Sequence, residues 1–123
     1  MVAGLIVSAI ALGMHASSTS AGVREVRLVV RDMTFYVEGQ NDPNPVLSFR
    51  PGEQVRLVLR NEDAGMRHDF VVEAWQVATR VLEDRGEQDT IAFTVPGEPG
   101  THTYHCTPHA KMMSGRITVQ PTK

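Results

Sequence analysis

The chain has 123 residues, with 12 Lys and Arg against 14 Asp and Glu, which leaves a formal net charge of −2 at pH 7. This length suits one domain and is too short for a multidomain enzyme, and the near-neutral balance gives no electrostatic footprint for nucleic acid or an anionic membrane. The single cysteine, Cys106, excludes an internal disulfide and any zinc site built on several thiolates. This residue is therefore an inert buried thiol, a ligand or a nucleophile.

The first segment of the chain differs from the rest because residues 1–21 contain no charged side chain and residues 2–14 are almost continuously apolar. About 13 apolar residues are too few to cross a bilayer core, which needs about 20, but they suit the hydrophobic region of a secretory signal. No Lys or Arg opens the segment, so an anchor that is never removed, or an earlier start, stays an alternative. We expect residues 1–21 to be a secretory signal and residues 22–123 to form one exported domain, periplasmic or extracytoplasmic, which contacts a membrane only if the segment is retained.

After this segment the sequence alternates apolar and polar side chains with period two and is rich in valine and threonine, which is typical of half-buried strands. The clearest segments are residues 25–30, 54–60, 69–73, 90–95 and 115–120. Turns rich in proline, glycine and asparagine separate them. We therefore predict an all-β, Greek-key sandwich of two sheets, with roughly seven or eight strands, antiparallel with room for mixed pairing at the edges. Residues 74–85 fit neither period, so a loop, an irregular strand and a short helix all stay open there.

Three kinds of metal ligand lie close together near the C-terminus, namely Cys106, His109 and the adjacent Met112 and Met113. Thiolate and thioether are soft donors and imidazole is intermediate, a mixture that suits copper cycling between Cu(I) and Cu(II) and suits Mg²⁺ or Ca²⁺ badly. Zinc gains little from a thioether. A trigonal copper site with two histidines, one cysteine and a weak axial methionine needs one more histidine. His68 is the candidate, because it stands where a turn leads into a strand and can meet the loop after Cys106.

These residues carry a resemblance to a known family. Residues 104–109 are very similar to the ligand loop of amicyanin and pseudoazurin, and residues 113–119 resemble the Met-x-Gly-Lys/Arg run into the last strand of such proteins. Residues 68–70 resemble their upstream His-Asn-Val/Phe segment. The chain therefore resembles the cupredoxins, the small blue-copper fold shared by plastocyanin, amicyanin, pseudoazurin and azurin. The resemblance implies one copper ion, as Cu(I) or Cu(II), with a ligand set that consists of His68, Cys106, His109 and Met113.

The axial ligand is one point at which the family pattern is ambiguous. Met112 follows His109 by three residues, as in amicyanin, and Met113 follows it by four, as in azurin. We favour Met113, because it stands two residues before Gly115, and the family keeps this offset as the loop enters the last strand.

The second departure is Asp69, which occupies the place of the usual asparagine. An ionised carboxylate only accepts hydrogen bonds, so we expect the Thr107 hydroxyl to donate to it. The negative charge should favour Cu(II) and lower the reduction potential, and this hypothesis fails if Asp69→Asn leaves the potential unmoved or lowers it.

Together these features predict a mononuclear type 1 copper protein that carries one electron at a time and is not an enzyme. Coordination that changes little between oxidation states permits outer-sphere transfer, so no small-molecule substrate is needed. The resemblance implies that the ring edge of His109 reaches the surface, and we expect transient contacts with redox proteins at an apolar patch of Pro108, Ala110, Met112 and Met66. The alternative is an exported carrier or storage module for Cu(I). A catalytic cupredoxin would need a second histidine cluster, which the sequence does not supply.

Overall fold

The computed structural model of the protein describes residues 22–121, which form a sandwich of two mixed β-sheets. Its nine strands are, in chain order, β1 (Arg24–Arg31), β2 (Thr34–Val37), β3 (Leu47–Phe49), β4 (Gln54–Asn61), β5 (Val71–Val72), β6 (Val77–Ala78), β7 (Gln88–Thr94), β8 (Gly100–His105) and β9 (Ser114–Val119). Two 3₁₀ turns, Glu73–Trp75 and Thr107–His109, are the helical elements of this range. The predicted all-β, two-sheet fold class is confirmed.

The order of strands is β2-β1-β4-β7 in one sheet and β3-β9-β8-β5-β6 in the other. Most neighbours are antiparallel, but β1 pairs with β4, and β3 with β9, in parallel register. The β1–β4 pair is central in its sheet, so the mixed pairing that we expected at the edges extends to the interior. A parallel pair needs a long crossover connection, and residues 32–53 supply it by passing through β3 in the opposite sheet.

Alternate residues of the strands build the core between the sheets. In β4, Val55, Leu57 and Leu59 are buried, whereas Gln54 and Arg56 are exposed. Successive side chains of a strand point to opposite faces, so this pattern directs one face of β4 inward. This pattern agrees with the half-buried strand that the period-two sequence predicts, although Val58 on the other face is buried as well.

Three aromatic rings pack together directly beside the segments that carry the predicted ligands. Phe35 meets Phe70 and Tyr104 edge to face, with ring centroids 6.1 and 5.3 Å apart, and the rings of Phe70 and Tyr104 stack at 5.3 Å. Aromatic pairs at these separations stabilise beyond the area that they bury. Phe70 follows His68 by two residues and Tyr104 precedes Cys106 by two, so this cluster fixes the backbone from which both predicted ligands project.

The irregular stretch 74–85 is a mixture of short elements. It contains the end of the first 3₁₀ turn, the two-residue strand β6 and an isolated antiparallel bridge from Leu82 to His68. Leu82 is fully buried, so its side chain anchors the stretch in the core. The bridge places this stretch next to a predicted ligand.

The N-terminal signal predicted for residues 1–21 lies outside the described residues. Within residues 22–121, no helix has the length and apolar character that crossing a membrane requires.

Candidate metal centre

The segment before β5 and the loop after β8 meet in the interior of the sandwich. Cys106 Sγ lies 3.7 Å from His68 Nδ1, although 38 residues separate them in sequence. Both side chains are fully buried. The ring of His109 stands beside that of His68, with centroids 5.3 Å apart. The fold thus brings three of the predicted ligands into one neighbourhood.

The separation between Cys106 and His68 fits a shared metal ion. With a metal–sulfur bond of about 2.3 Å and a metal–nitrogen bond of about 2.0 Å, an angle of about 120° puts the two donor atoms about 3.7 Å apart. The observed Sγ–Nδ1 distance of 3.7 Å therefore matches two members of a trigonal set. Among residues 22–121, no three His, Cys, Asp or Glu side chains form a ready metal-holding group, and the His109 ring lies beside that of His68 with centroids 5.3 Å apart.

The ligand loop, residues 106–113, is closed by hydrogen bonds of its own backbone. The Cys106 N–H donates to the Met113 carbonyl at 3.0 Å, and the Met113 N–H donates to the His109 carbonyl, also at 3.0 Å. The His109 N–H returns to the Cys106 carbonyl at 3.2 Å. These bonds hold the backbone of Cys106, His109 and Met113 in one tight turn, so the Cα positions of the three residues are fixed relative to one another.

The two adjacent methionines of the loop have opposite environments. Met113 is 0% exposed and belongs to the buried core, whereas Met112 is 63% exposed. A buried Met113 thioether shares the interior with Cys106 and His68, and an exposed thioether is surrounded by water. Burial therefore favours Met113 over Met112 as the thioether ligand, in agreement with the spacing argument.

The ligand loop enters β9 beneath the ring of Tyr104. Tyr104 and Gly115 are cross-strand partners, and a Cβ atom at position 115 would overlap the tyrosine ring. The ring cannot move aside freely, because its hydroxyl donates to the buried Pro45 carbonyl at 2.6 Å. Glycine is thus required at position 115. This requirement applies at the second residue of β9, two residues after Met113.

His68 is held by the framework through both its backbone and its ring. Its N–H donates to the Leu82 carbonyl at 2.9 Å, and its carbonyl accepts the Leu82 N–H at 2.7 Å. Its Nε2 lies 2.9 Å from Oδ2 of Asp63. An ionised carboxylate only accepts, so Nε2 carries the proton of this hydrogen bond. The Nδ1 atom, which faces Cys106, then has its lone pair free for a metal.

The partner of this histidine, Asp63, was missed by sequence reasoning. Its carboxylate also accepts the backbone N–H groups of Asp32 and Met33, at 2.7 and 2.9 Å. These two residues precede Asp63 by about thirty positions, so spacing could not reveal the contact. The available signal was a carboxylate in the turn before His68, because metal-bound histidines usually donate their second N–H to a carboxylate, carbonyl or water.

On the framework side of the site, which consists of His68 and Asp63, burial and hydrogen bonds set the protonation states. Burial lowers the pKa of His68 below its ordinary value, although the Asp63 carboxylate acts in the opposite direction. Burial also disfavours ionisation of Asp63, but the N–H groups of Met33 and Asp32, together with His68, outweigh it, and the pKa of Asp63 is lowered. At neutral pH this side of the site therefore presents a neutral imidazole that is hydrogen bonded to a carboxylate.

The cysteine side carries a proton instead. Burial raises the pKa of the Cys106 thiol, and the backbone N–H of Asp69 offsets this effect only in part. The metal-free site thus holds a neutral thiol at neutral pH. A metal must displace this proton, because the thiolate is the ligand form.

Asp69 connects the His68 segment to the ligand loop. Its Oδ1 accepts the backbone N–H of Thr107 at 2.6 Å. The expectation that the carboxylate acts as acceptor is met, but the expected donor, the Thr107 hydroxyl, is wrong. Thr107 opens a 3₁₀ turn, and the first N–H groups of a helical turn lack partners within it. The carboxylate supplies that missing acceptor.

The surface next to the site includes the residues of the predicted apolar patch. Pro108, Ala110 and Met112 are exposed, and His109 and Met66 are partly buried. Pro108 lies in the 3₁₀ turn of the ligand loop, and Ala110 and Met112 follow this turn within three residues. The exposed residues of the predicted patch are thus close in sequence to His109, the one predicted ligand that is not fully buried.

The sequence profile of the copper binding proteins of the plastocyanin/azurin family matches residues 44–120. The match covers more than half of the chain and includes all the predicted ligand positions. The chain therefore belongs to this family of copper-binding cupredoxins, whose cofactor is copper. No curated protein matches the sequence.

Solved structures of copper proteins share the fold. Auracyanin B is 24% identical with a TM-score of 0.62, and the match covers 80% of this chain and 89% of that one. Reduced rusticyanin is 21% identical with a TM-score of 0.59, covering 80% and 79%. McoA multicopper oxidase from Aquifex aeolicus is 18% identical with a TM-score of 0.62, covering 79% of this chain and 26% of the oxidase. At these identities the likeness shows the fold alone.

Proposed function

We propose that this protein is a type 1 copper protein that passes single electrons between redox partners. The proposed ligands are His68 through Nδ1, Cys106 as thiolate, His109 in the trigonal plane and Met113 in the axial position. One observation carries the proposal: a buried thiol and a buried imidazole nitrogen stand 3.7 Å apart, at the separation of a trigonal copper site. Family membership supports copper as the metal.

The surroundings of the site suit fast electron transfer. Copper supplies here a one-electron change between Cu(II) and Cu(I). His68, Cys106 and Met113 are fully buried, so their side chains exclude water from the inner part of the site. The Leu82 bridge and the closed loop hold the backbone on both sides. A rigid ligand set leaves little structure to rearrange when the oxidation state changes.

The proposed partners are redox proteins that dock on the apolar patch around His109. The support is the exposure of Pro108, Ala110 and Met112 beside a partly buried histidine ring. A small apolar surface of this kind suits weak, fast-dissociating contacts, since electron-transfer interfaces bury little area. The electron would enter or leave through the His109 edge of the site.

The same proposal assigns no enzymatic role to the chain and places it outside the cytoplasm. The likeness to a multicopper oxidase extends over about a quarter of that enzyme, and oxidase chemistry needs further copper ligands. Export rests on the apolar and uncharged character of residues 1–21. The rival function, a Cu(I) carrier, is the alternative outcome of the test below.

Titration of the metal-free full chain with Cu(II) tests the proposal. We expect an intense visible thiolate-to-copper band that saturates at about one copper per chain, and a reversible one-electron response in voltammetry. The matched variant Cys106→Ser should bind copper without this band. A wild-type protein that stays colourless with Cu(II) and retains only Cu(I) would overturn electron transfer and support the carrier.

A further inference from the structure

Asp63 is the meeting point of three segments that are remote in sequence. One carboxylate oxygen, Oδ1, accepts the Asp32 N–H at 2.7 Å, and the other, Oδ2, accepts the Met33 N–H at 2.9 Å. Oδ2 also lies 2.9 Å from Nε2 of His68. Besides these two backbone hydrogen bonds, the carboxylate accepts a third hydrogen bond, from the Nε2–H of His68.

The two backbone donors come from an unusual turn. Asp32 and Met33 join β1 to β2 and both have positive φ values, 50° and 55°. Consecutive left-handed residues form the tight hairpin turns that usually contain asparagine and glycine, and residues with side chains rarely adopt them. Strain of this kind persists where the surrounding structure demands it, often at functional sites. Here it accompanies two N–H groups that bind one carboxylate.

The turn that contains Asp63 is fixed independently. The Asp63 N–H donates to Oδ1 of Asn61 at 2.8 Å, and Nδ2 of Asn61 donates to the Met66 carbonyl at 2.7 Å. Asn61 is fully buried at the end of β4. The backbone on both sides of Asp63 is therefore tied to the framework, so its carboxylate has a defined position relative to His68.

We propose that Asp63 is a positioning residue of the copper site, which holds the His68 ring in the Nε2–H tautomer with Nδ1 directed at the metal and favours Cu(II) over Cu(I). The first part stands on the hydrogen bonds alone, and the second part rests on the proposed copper function. A carboxylate on the outer nitrogen of a metal-bound histidine fixes the ring and increases its basicity as a ligand. Added negative charge stabilises the more highly charged Cu(II) ion.

A simpler role for Asp63 is to stabilise the β1–β2 turn. In that case its replacement would change the stability of the fold and leave the tautomer and the reduction potential unchanged. The two roles are therefore separable by measurement. Asp63→Ala removes every acceptor, whereas Asp63→Asn removes the charge and keeps one acceptor oxygen.

The tautomer is measured on the metal-free full chain by long-range proton–nitrogen correlation spectra of the imidazole rings. We expect His68 to show the Nε2–H pattern alone in the wild type, and Asp63→Ala to lose that exclusive pattern. Circular dichroism tests whether each variant is folded. If the folded Asp63→Ala variant keeps the wild-type pattern, positioning by Asp63 is wrong. If this variant does not fold, Asp63→Asn and its potential decide the proposal.

The charge effect is measured as the reduction potential of the copper-loaded proteins. We expect Asp63→Asn to lower the preference for Cu(II) over Cu(I) about tenfold, a rise of about 59 mV for a one-electron couple. The control Glu98→Gln removes an equal charge from an exposed residue before β8, whereas Cys106 follows β8, about 20 Å away along the strand. A shift in Asp63→Asn no larger than that of Glu98→Gln overturns the charge effect. A wild type without a copper band would refute the proposed function, and the tautomer would still decide the positioning.

Discussion

The two histidines of the site are supported in different ways. His68 is fully buried, is bridged to Leu82 through two backbone hydrogen bonds and has its outer nitrogen bound to Asp63. His109 is only partly buried and belongs to a short turn that is closed by its own backbone. The framework side, around His68, thus depends on side-chain and backbone contacts with other segments. The loop side, residues 106–113, is closed mainly by its own backbone and has outside contacts of Asp69 with Thr107 and of Asn44 with Met112.

Under the proposed function, this difference would separate two requirements of an electron carrier. The framework side would keep one ligand geometry in both oxidation states, and the loop side would bring another ligand near the surface, where a partner could approach. The two sides also differ in whether the ligand atom must lose a proton before it binds the metal. His68 is neutral with a free Nδ1, whereas Cys106 must first lose a proton. Four experiments challenge this contrast, from the largest expected effect to the smallest.

Replacing the two methionines separately tests whether the loop has a buried and an exposed edge. We expect Met113→Ala to lower the free energy of unfolding of the metal-free protein by about 2–5 kcal/mol, because it opens a cavity in the core. Met112→Ala, at the exposed position, should stay within about 0.5 kcal/mol. Urea unfolding measures both. In the copper-loaded forms only Met113→Ala should shift the visible band, and equal effects of the two variants would contradict the assignment.

Gly115→Ala tests the point where the loop joins β9. The added Cβ would overlap the ring of Tyr104, so we expect a loss of about 3 kcal/mol, at the upper end for overpacking. The control is Gly97→Ala, because a Cβ at Gly97 has no neighbour within 4 Å. Its stability should change by less than about 0.5 kcal/mol. Similar losses in both variants would show that the close packing at Gly115 is unimportant.

Tyr104→Phe tests the anchor of that same ring. The variant leaves the buried Pro45 carbonyl without the hydroxyl that donates to it, and we expect a loss of about 1–3 kcal/mol in thermal or urea unfolding. Tyr36→Phe is the matched control, since the half-buried Tyr36 ring packs beneath Arg31 and keeps this contact without its hydroxyl. An unchanged stability of Tyr104→Phe would show that the hydrogen bond to Pro45 does not hold the ring against Gly115.

Proton release on metal binding tests whether Cys106 is protonated and His68 is neutral in the metal-free protein. Because burial raises the pKa of Cys106 and lowers that of His68, Cu(II) binding at pH 7 should release about one proton, from the thiol. The apparent affinity should rise as pH increases toward the thiol pKa, since fewer protons then compete with the metal. Calorimetry in two buffers of different ionisation enthalpy measures the release. A binding enthalpy independent of the buffer would contradict a protonated Cys106.

Much of the framework followed from local sequence pattern. Alternation with period two placed strands close to the observed β1, β4, β7 and β9, because the faces of a strand differ in burial wherever one of them packs on a core. The short strands β2, β3 and β6, and also β8, were not specified in this way. Strands of two to four residues carry too few alternations to define a period, and their pairing depends on neighbours elsewhere in the chain.

The site shows the same division. The thiol, imidazole and thioether ligands of the loop lie within residues 106–113, so the kind of metal that they suit could be inferred from sequence. The sequence profile that matches the chain supports copper. The secretory signal stays a prediction. Local sequence could not show that Met113 is buried while Met112 is exposed, that Asp69 accepts a backbone N–H, or that Asp63 binds His68.

The sequence by itself determined the class of fold and the residue types of the proposed ligand set, because strand periodicity and ligand spacing are local properties of the chain. Only the tertiary structure decided the central parallel pairing of β1 with β4 and the contacts that orient His68. These depend on which distant segments approach each other. That approach is governed by the packing of the whole core, and a hydrogen bond such as the one between Asp32 and Asp63, 31 residues apart, has no signature in either segment alone.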